Sequence, residues 1–203
     1  MSPSRDMTRK VETSAVLPTY YRLTAAAVTR IEILFKVCMP LIYERYRDAF
    51  RAGVWLRADS GPWIGRAIVY KLDVELHRDA LDEGPAAIFP VGNFTGGNLF
   101  FPDIGLKFRY STGHVCICQA SALYHKVGTW SPSGEVSSSN ITPGRIGHVL
   151  FMPKRTYDAL QGKEPGWFIR TAGGRVSDPT EDDEDLTDCY SSYHCVPSDW
   201  PAF

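Results

Sequence analysis

A histidine and an aspartate stand two residues apart in the stretch VELHRDALDE, as His77 and Asp79. They follow an apolar run, which predicts a strand that ends just before them. Because residues i and i+2 of a strand point to the same side, the imidazole and the carboxylate could both reach one metal ion. They could also form a hydrogen-bonded pair at the protein surface, which is the default interpretation of so short a motif.

A further ligand is available in His125, one of five histidines in the chain. It ends the run CQASALYHKVG after a candidate strand, as His77 does. Neighbouring strand ends of a jelly roll can bring His77, Asp79 and His125 to one point. Two histidines and one carboxylate on one face of an ion form the facial triad of non-haem Fe(II) oxygenases, which leaves positions open for a co-substrate and O₂.

An arginine, Arg145, stands at the start of the apolar stretch TPGRIGHVLFMPK. A buried arginine is costly unless its side chain is paired. An anionic ligand inside a barrel would pair it, and a guanidinium forks naturally onto a carboxylate. The alternative is an exposed strand start, where Arg145 pairs with a surface acid.

The elements that must position these residues follow from the hydrophobic pattern. Apolar positions at helical spacing predict two amphipathic helices between Thr24 and Gly53, separated near Pro40, whereas residues 1–20 look irregular. Short apolar runs punctuated by Gly, Pro and Asn follow, and they predict a sandwich, barrel or jelly roll. The candidate strands are 66–72, 86–91, 97–101, 106–110, 114–119, 121–127 and 145–152. Past Tyr157 the pattern weakens.

In order, the segments HRDALD, AAIFPVGNFTGGNLFFPDIGLKFRYSTGHVCICQASALYHKVG and TPGRIGHVLF resemble the Fe(II)/2-oxoglutarate dioxygenases. They are most similar to the TET and JBP nucleobase oxygenases and their fungal relatives, over roughly residues 60–155. The resemblance implies an α+β fold, a double-stranded β-helix (jelly roll) backed by N-terminal helices. It also implies that His77, Asp79 and His125 bind Fe(II), that Arg145 binds the distal carboxylate of 2-oxoglutarate, and that O₂ is consumed.

The sequence departs from this family at three places. Many members carry Ser or Thr two residues after the arginine, where this chain has Gly147. The polar stretch SPSGEVSSSN, residues 131–140, lies between His125 and Arg145. The cysteine-rich region of animal TET proteins is absent from this sequence. The identity of the substrate is therefore less firmly implied than the chemistry.

Glycines and aromatic residues around the predicted site have two interpretations each. Gly96 and Gly97 would form either a bulge that lets the backbone approach the metal site or a plain hairpin turn. Phe89, Phe100 and Phe101 are interpreted as core or pocket wall in preference to a base-stacking platform. Cys116 and Cys118 alternate with apolar residues, which favours packing. A zinc site from Cys189, His194 and Cys195 lacks a second paired half.

Charge is distributed unevenly along the chain. The whole sequence carries −1 and residues 174–203 carry −7, so that residues 1–173 carry +6. Such a body is compatible with a nucleic-acid partner, and the acidic segment would compete with that partner for the basic surface. Acidic runs are, however, usually just solvated. The predicted organisation is a helical segment 1–58, a dioxygenase core 59–173 and an acidic tail 174–203.

These observations predict an intracellular protein, nuclear or cytoplasmic, because the N-terminus is polar and no apolar run approaches the roughly 18 residues of a membrane span. The predicted activity is oxidation of a methyl group on a nucleobase, 5-methylcytosine or N6-methyladenine in DNA. The basic body could supply phosphate contacts from residues such as Arg78, Lys107, Arg109, Lys126, Lys154 and Arg155. The alternatives are a small-molecule or protein-side-chain hydroxylase on the same fold, and a jelly-roll binding domain without activity.

Overall fold

The computed structural model describes residues 11–56, 58–134 and 143–177. The N-terminal helices are α1 (Val11–Cys38) and α2 (Pro40–Gly53), and two short helices, α3 (Lys154–Leu160) and α4 (Trp167–Arg170), follow the last strand. The strands are β1 (Gly65–Tyr70), β2 (Ala86–Gly96), β3 (Leu99–Phe101), β4 (Leu106–Phe108), β5 (Cys116–Cys118), β6 (Lys126–Val127), β7 (Trp130–Pro132) and β8 (Gly144–Phe151).

The strands form two curled antiparallel sheets. In the major sheet the order is β1-β8-β2-β5, and β7 pairs with the far end of β2. In the minor sheet the order is β4-β3-β6. The predicted α+β class is confirmed, whereas the jelly roll and the division into three segments stay predictions.

Strand β2 pairs with three other strands. Residues 86–88 pair with β5, residues 87–93 pair with β8, and residues 94–96 pair with β7. Gly92, which pairs with Arg145 of β8, has φ +107°, and a Cβ there would stand 2.2 Å from the carbonyl oxygen of Gly144. Only glycine allows this backbone approach, which brings the start of β8 and Arg145 close to the end of β2.

The helices cover one face of the major sheet and share a core with it. Phe35 of α1 stacks on Trp63 at a centroid distance of 4.7 Å, and both side chains are fully buried. The indole N–H of Trp63 donates to the carbonyl of Pro85 at 3.2 Å, so the polar group of this buried side chain has a hydrogen-bond partner. A second core lies between the sheets and includes Leu99, Phe101 and Cys118. The preference for packing at the two strand cysteines is confirmed, because Cys116 also packs against this core.

The first helix begins earlier than predicted, and the irregular assignment of residues 11–20 is wrong. Helix α1 runs through Pro18. Leu17 and Tyr21 are buried and continue the face formed by Val28, Ile31 and Phe35. Proline costs about 3 kcal/mol inside a helix, and burial of this apolar face offsets that cost. Tyr21 also lies under the Arg66 guanidinium at 5.0 Å, and Arg66 forms a buried ion pair with Asp59.

The structure also differs from the sequence-based expectations after residue 119. The strand expected over 121–127 is reduced to Lys126–Val127, because residues 119–123 form a turn in which the amides of Ala122 and Leu123 both donate to the Gln119 carbonyl. The polar stretch 131–140 begins within β7, and residues 135–142 lie outside the described part of the chain. Helices α3 and α4 had no predicted counterpart.

Candidate metal centre and cavity

The three predicted ligands come together at one point. One ligand atom from each of His77, Asp79 and His125 lies within 4.8 Å of the other two. The Nε2 atom of His77 is 3.6 Å from Asp79 Oδ1, and that of His125 is 4.0 Å from Asp79 Oδ2. The spacing leaves room between the three side chains for an ion that all of them could touch.

Backbone hydrogen bonds hold the ligand set in place. The His77 amide donates to the His125 carbonyl at 3.1 Å, and the His125 amide donates to the His77 carbonyl at 2.8 Å. The Asp79 amide donates to the Ala120 carbonyl at 2.9 Å. An isolated antiparallel bridge therefore aligns the two histidines at the edge of the minor sheet.

The Nδ1 atom of each imidazole is hydrogen-bonded to a backbone carbonyl oxygen. His77 Nδ1 lies 2.8 Å from the Glu75 carbonyl oxygen, and His125 Nδ1 lies 3.1 Å from that of Leu123. A carbonyl can only accept, so Nδ1 donates in both rings. The neutral imidazole then presents its Nε2 lone pair towards Asp79, which is the tautomer that a metal ligand needs.

The ligand set is buried on one side and open on the other. The side chains of His125, Asp79 and His77 are 6%, 26% and 41% exposed. All three line a cavity of about 580 Å³, whose other walls come mostly from apolar residues of β1, β2, β6 and β8. A pocket of this size and polarity suits a small organic molecule.

Arg145 lines the same cavity and is only 4% exposed. No described carboxylate lies within ion-pair distance of it, and its Nε atom is buried without a hydrogen-bond partner. Burial lowers the pKa of Arg145, and the nearby Tyr110 partly offsets this. The alternative of an exposed arginine paired to a surface acid is therefore wrong.

Aromatic rings and two glycines shape the space around Arg145. Its guanidinium lies 5.5 Å from the Tyr110 ring centroid and 5.9 Å from that of Phe94. A Cβ on Gly147 would stand 3.2 Å from its Nη1 atom, and one on Gly97 would stand 3.5 Å from its Cδ atom. Gly147 therefore makes room for the guanidinium, whereas the two interpretations of Gly96 and Gly97 stay predictions.

The remaining predicted residues supply no ligand to this centre, although the Phe101 ring lies 6.0 Å from that of His125. Phe89 and Phe101 are buried core residues, and Phe100 is half-buried in the minor sheet. Lys154 is exposed and forms ion pairs with Glu83 and Asp158. Cys189, His194 and Cys195 lie outside the described residues.

Two polar residues of the cavity carry no sequence signal that singles them out. His148 is stacked against Phe89 at 5.0 Å, and its Nδ1 lies 3.2 Å from the Tyr20 hydroxyl of α1. Asp82 follows Asp79 in a turn closed by its own amide, and burial together with the charge of Asp79 raises the pKa of Asp82 to about 7. Only the i, i+3 spacing of the two aspartates hints at this turn.

No helix among the described residues is long and apolar enough to cross a membrane.

The sequence matches no family model and no curated protein. Among solved structures it is similar to NgTET1 in complex with 5mC DNA, with 23% identity and a TM-score of 0.31. The similar region covers 56% of this chain and 35% of that chain, so this chain spans about a third of the length of NgTET1. A likeness at this TM-score supports no conclusion about fold or chemistry, so the interpretation of the site rests on its own geometry.

Proposed function

We propose that the protein is an Fe(II)- and 2-oxoglutarate-dependent dioxygenase. The observation that carries the proposal is the pairing, in one cavity, of the ligand set His77, Asp79 and His125 with a buried arginine that lacks an acidic partner among the described residues. A metal-binding triad alone would suit several ions. A triad beside an unpaired guanidinium suits an ion that shares its site with an anionic co-substrate.

The donor set fits ferrous iron. Two imidazole nitrogens and one carboxylate form the facial arrangement that non-haem Fe(II) oxygenases use. The Nδ1–H groups bonded to Glu75 and Leu123 keep both Nε2 atoms available for the metal. Iron bound there with 2-oxoglutarate and O₂ would supply the oxidising chemistry that hydroxylates a C–H bond.

The protein's own residues would bind, orient and shield the reactants. Arg145 would hold the distal carboxylate of 2-oxoglutarate through its forked N–H groups. Tyr110 and Phe94 flank the guanidinium and limit where it can move. The apolar walls contributed by residues such as Val69, Ile88 and Val149 would keep water from the reacting groups.

We propose a methyl group on a nucleobase as the substrate, with 5-methylcytosine or N6-methyladenine in DNA as the first candidates. Support comes from the resemblance in sequence and from the +6 charge of residues 1–173. A base within a duplex must be flipped out to reach a metal in a cavity. The exposed cations Arg78, Lys107, Arg109, Lys126, Lys154 and Arg155 could contact phosphates during that step.

A small-molecule hydroxylase is the second candidate. The cavity of about 580 Å³ is lined mostly by apolar side chains and lies within the size range of pockets that enclose a whole metabolite.

A substrate screen tests the proposal. The purified protein, with Fe(II), 2-oxoglutarate and O₂, is incubated with methylated DNA and RNA oligonucleotides, and succinate and oxidised bases are measured by mass spectrometry. We expect oxidised base and an equal amount of succinate from the wild-type protein, and neither product from Asp79→Ala. Succinate without an oxidised base would favour the small-molecule hydroxylase, and absence of succinate would contradict the dioxygenase proposal.

A further inference from the structure

The minor sheet has two faces with different chemistry. Directly opposed residues on neighbouring strands point to the same side of a sheet, and the side alternates along each strand. Leu99 pairs with Val127, and both line the cavity that contains the ligand set. Phe100 therefore points to the opposite side, together with its two cross-strand partners, Lys107 of β4 and Lys126 of β6.

A row of cations and rings lies on this outer side. The ammonium groups of Lys107 and Lys126 stand 5.3 and 5.7 Å from the Phe100 ring centroid. One position further along the sheet edge, the Arg78 guanidinium stands 5.6 Å from the ring of Tyr124, which is 41% exposed. Lys107, Phe100, Lys126, Arg78 and Tyr124 are called the lysine–aromatic face below.

The cations of this face are available for a ligand. Lys107, Lys126 and Arg78 are all exposed, and within 11–56, 58–134 and 143–177 no carboxylate lies within ion-pair distance of them. The acid Asp103 at the same edge is engaged by the backbone, since its carboxylate accepts the Tyr124 amide at 2.7 Å. Lys154, by contrast, is held by two surface carboxylates.

The face leads to the cavity. The bridge between His77 and His125 sets Arg78 opposite Tyr124, and Arg78 also lines the cavity. A chain-like ligand that lay across the lysine–aromatic face would therefore pass beside the edge where the ligand set is exposed.

We propose that the lysine–aromatic face binds a single-stranded polynucleotide. Phosphates would contact Lys107, Lys126 and Arg78, and bases would stack on Phe100 and Tyr124. Alternating cations and rings are the features with which proteins hold single strands, because every base offers a face for stacking. A duplex keeps its base faces covered, so it could use only the cations. The choice of nucleic acid rests on the proposed function, but binding at this face requires neither iron nor 2-oxoglutarate.

Fluorescence anisotropy of a labelled oligothymidylate, with the full-length protein in EDTA and over a range of salt concentrations, tests this inference. Each phosphate contact to a single strand contributes roughly 0.7 to the slope of log K against log salt. We expect the Lys107→Ala/Lys126→Ala variant to show a slope that is less steep by about 1.4, which is twice the contribution of one contact. The matched control is Lys36→Ala/Lys163→Ala, which removes two exposed lysines that also lie over rings, those of Tyr43 and Trp167, on the helices.

Stacking is tested by substitutions at Phe100. We expect Phe100→Leu to weaken binding about tenfold, and Phe100→Trp to retain wild-type affinity, because the indole restores the ring. Thermal unfolding of each variant shows that the sheet is intact. The inference is overturned if both lysine pairs change the slope equally, if Phe100→Leu binds like wild type, or if duplex competes as well as single strand. Turnover of 2-oxoglutarate by the wild-type protein reports on the proposed function separately.

Discussion

His77 and His125 are hydrogen-bonded to each other through both of their backbone amides, and their imidazole rings lie 4.4 Å apart. The 47 intervening residues include the four strands β2 to β5 and the turn over 119–123, yet the two rings face the same carboxylate. The geometry of the ligand set is thus fixed by backbone pairing, and a side-chain substitution there should remove one ligand and leave the sheet edge in place.

The first prediction concerns that ligand set. His125→Ala, His77→Ala and Asp79→Ala should each abolish Fe(II)-dependent decarboxylation of 2-oxoglutarate while cooperative unfolding is retained, because two ligands hold the ion poorly. His114→Ala is the control, since His114 is exposed and lies outside the cavity. Wild-type turnover by His125→Ala would show that the assignment is wrong.

The second prediction concerns the anchor for the co-substrate. Arg145→Leu should raise the KM for 2-oxoglutarate about ten- to a hundredfold, as loss of a hydrogen bond to a charged group costs about 1.5–3 kcal/mol. Arg145→Lys should recover part of this, because lysine keeps the charge and loses the fork. Steady-state kinetics measure the effect, with Lys154→Leu as a control. An unchanged KM in Arg145→Leu would exclude Arg145 as the anchor.

The third prediction concerns stability and pH. Burial, and then the charge of Arg66, lower the pKa of His148. Histidines of the unfolded chain titrate at about pH 6.5, so the unfolded chain binds a proton at position 148 more readily than the native state does. The free energy of unfolding should therefore fall as the pH drops below that value. His148→Phe keeps a ring between Tyr20 and Phe89 and removes the titration, so its loss of stability on acidification should be smaller.

Urea denaturation of the metal-free protein at neutral and mildly acidic pH measures this difference. The control substitution is His114→Phe at an exposed position. On acidification this variant should lose as much free energy of unfolding as the wild-type protein. Equal losses for wild type and His148→Phe would show that the native state does not disfavour protonation of His148.

The fourth prediction concerns the acidic segment. Residues 174–203 carry −7. If they compete with nucleic acid for the basic body, deletion of 176–203 should strengthen DNA binding, and the gain should shrink as salt rises. Replacing the acids between Asp178 and Asp188 by Ser and Asn should reproduce the gain at full length. Absence of salt-dependent binding, with or without the segment, would make the small-molecule hydroxylase the leading proposal.

Local periodicity anticipated the second helix and the mixture of helices and strands. The resemblance to the dioxygenases anticipated the convergence of His77, Asp79 and His125, which depends on long-range backbone pairing. The sequence did not anticipate that residues 11–20 are helical, because Pro18 disfavours a helix there. Only the burial of Leu17 and Tyr21 in the folded protein offsets the cost of that proline. Nor could it identify the rings around Arg145. Tyr110 and Phe94 are two of ten tyrosines and ten phenylalanines in the chain, and only the fold brings their rings beside Arg145.

The most direct test of the dioxygenase site is an anaerobic titration of the purified protein with Fe(II) and 2-oxoglutarate, followed by visible absorption. Chelation of iron by the keto acid within the intact site should produce a charge-transfer band in the wild-type protein. The band should be absent in His125→Ala and should require more 2-oxoglutarate in Arg145→Leu. Absence of the band in the wild-type protein, or an identical band in His125→Ala, would contradict the proposed metal centre.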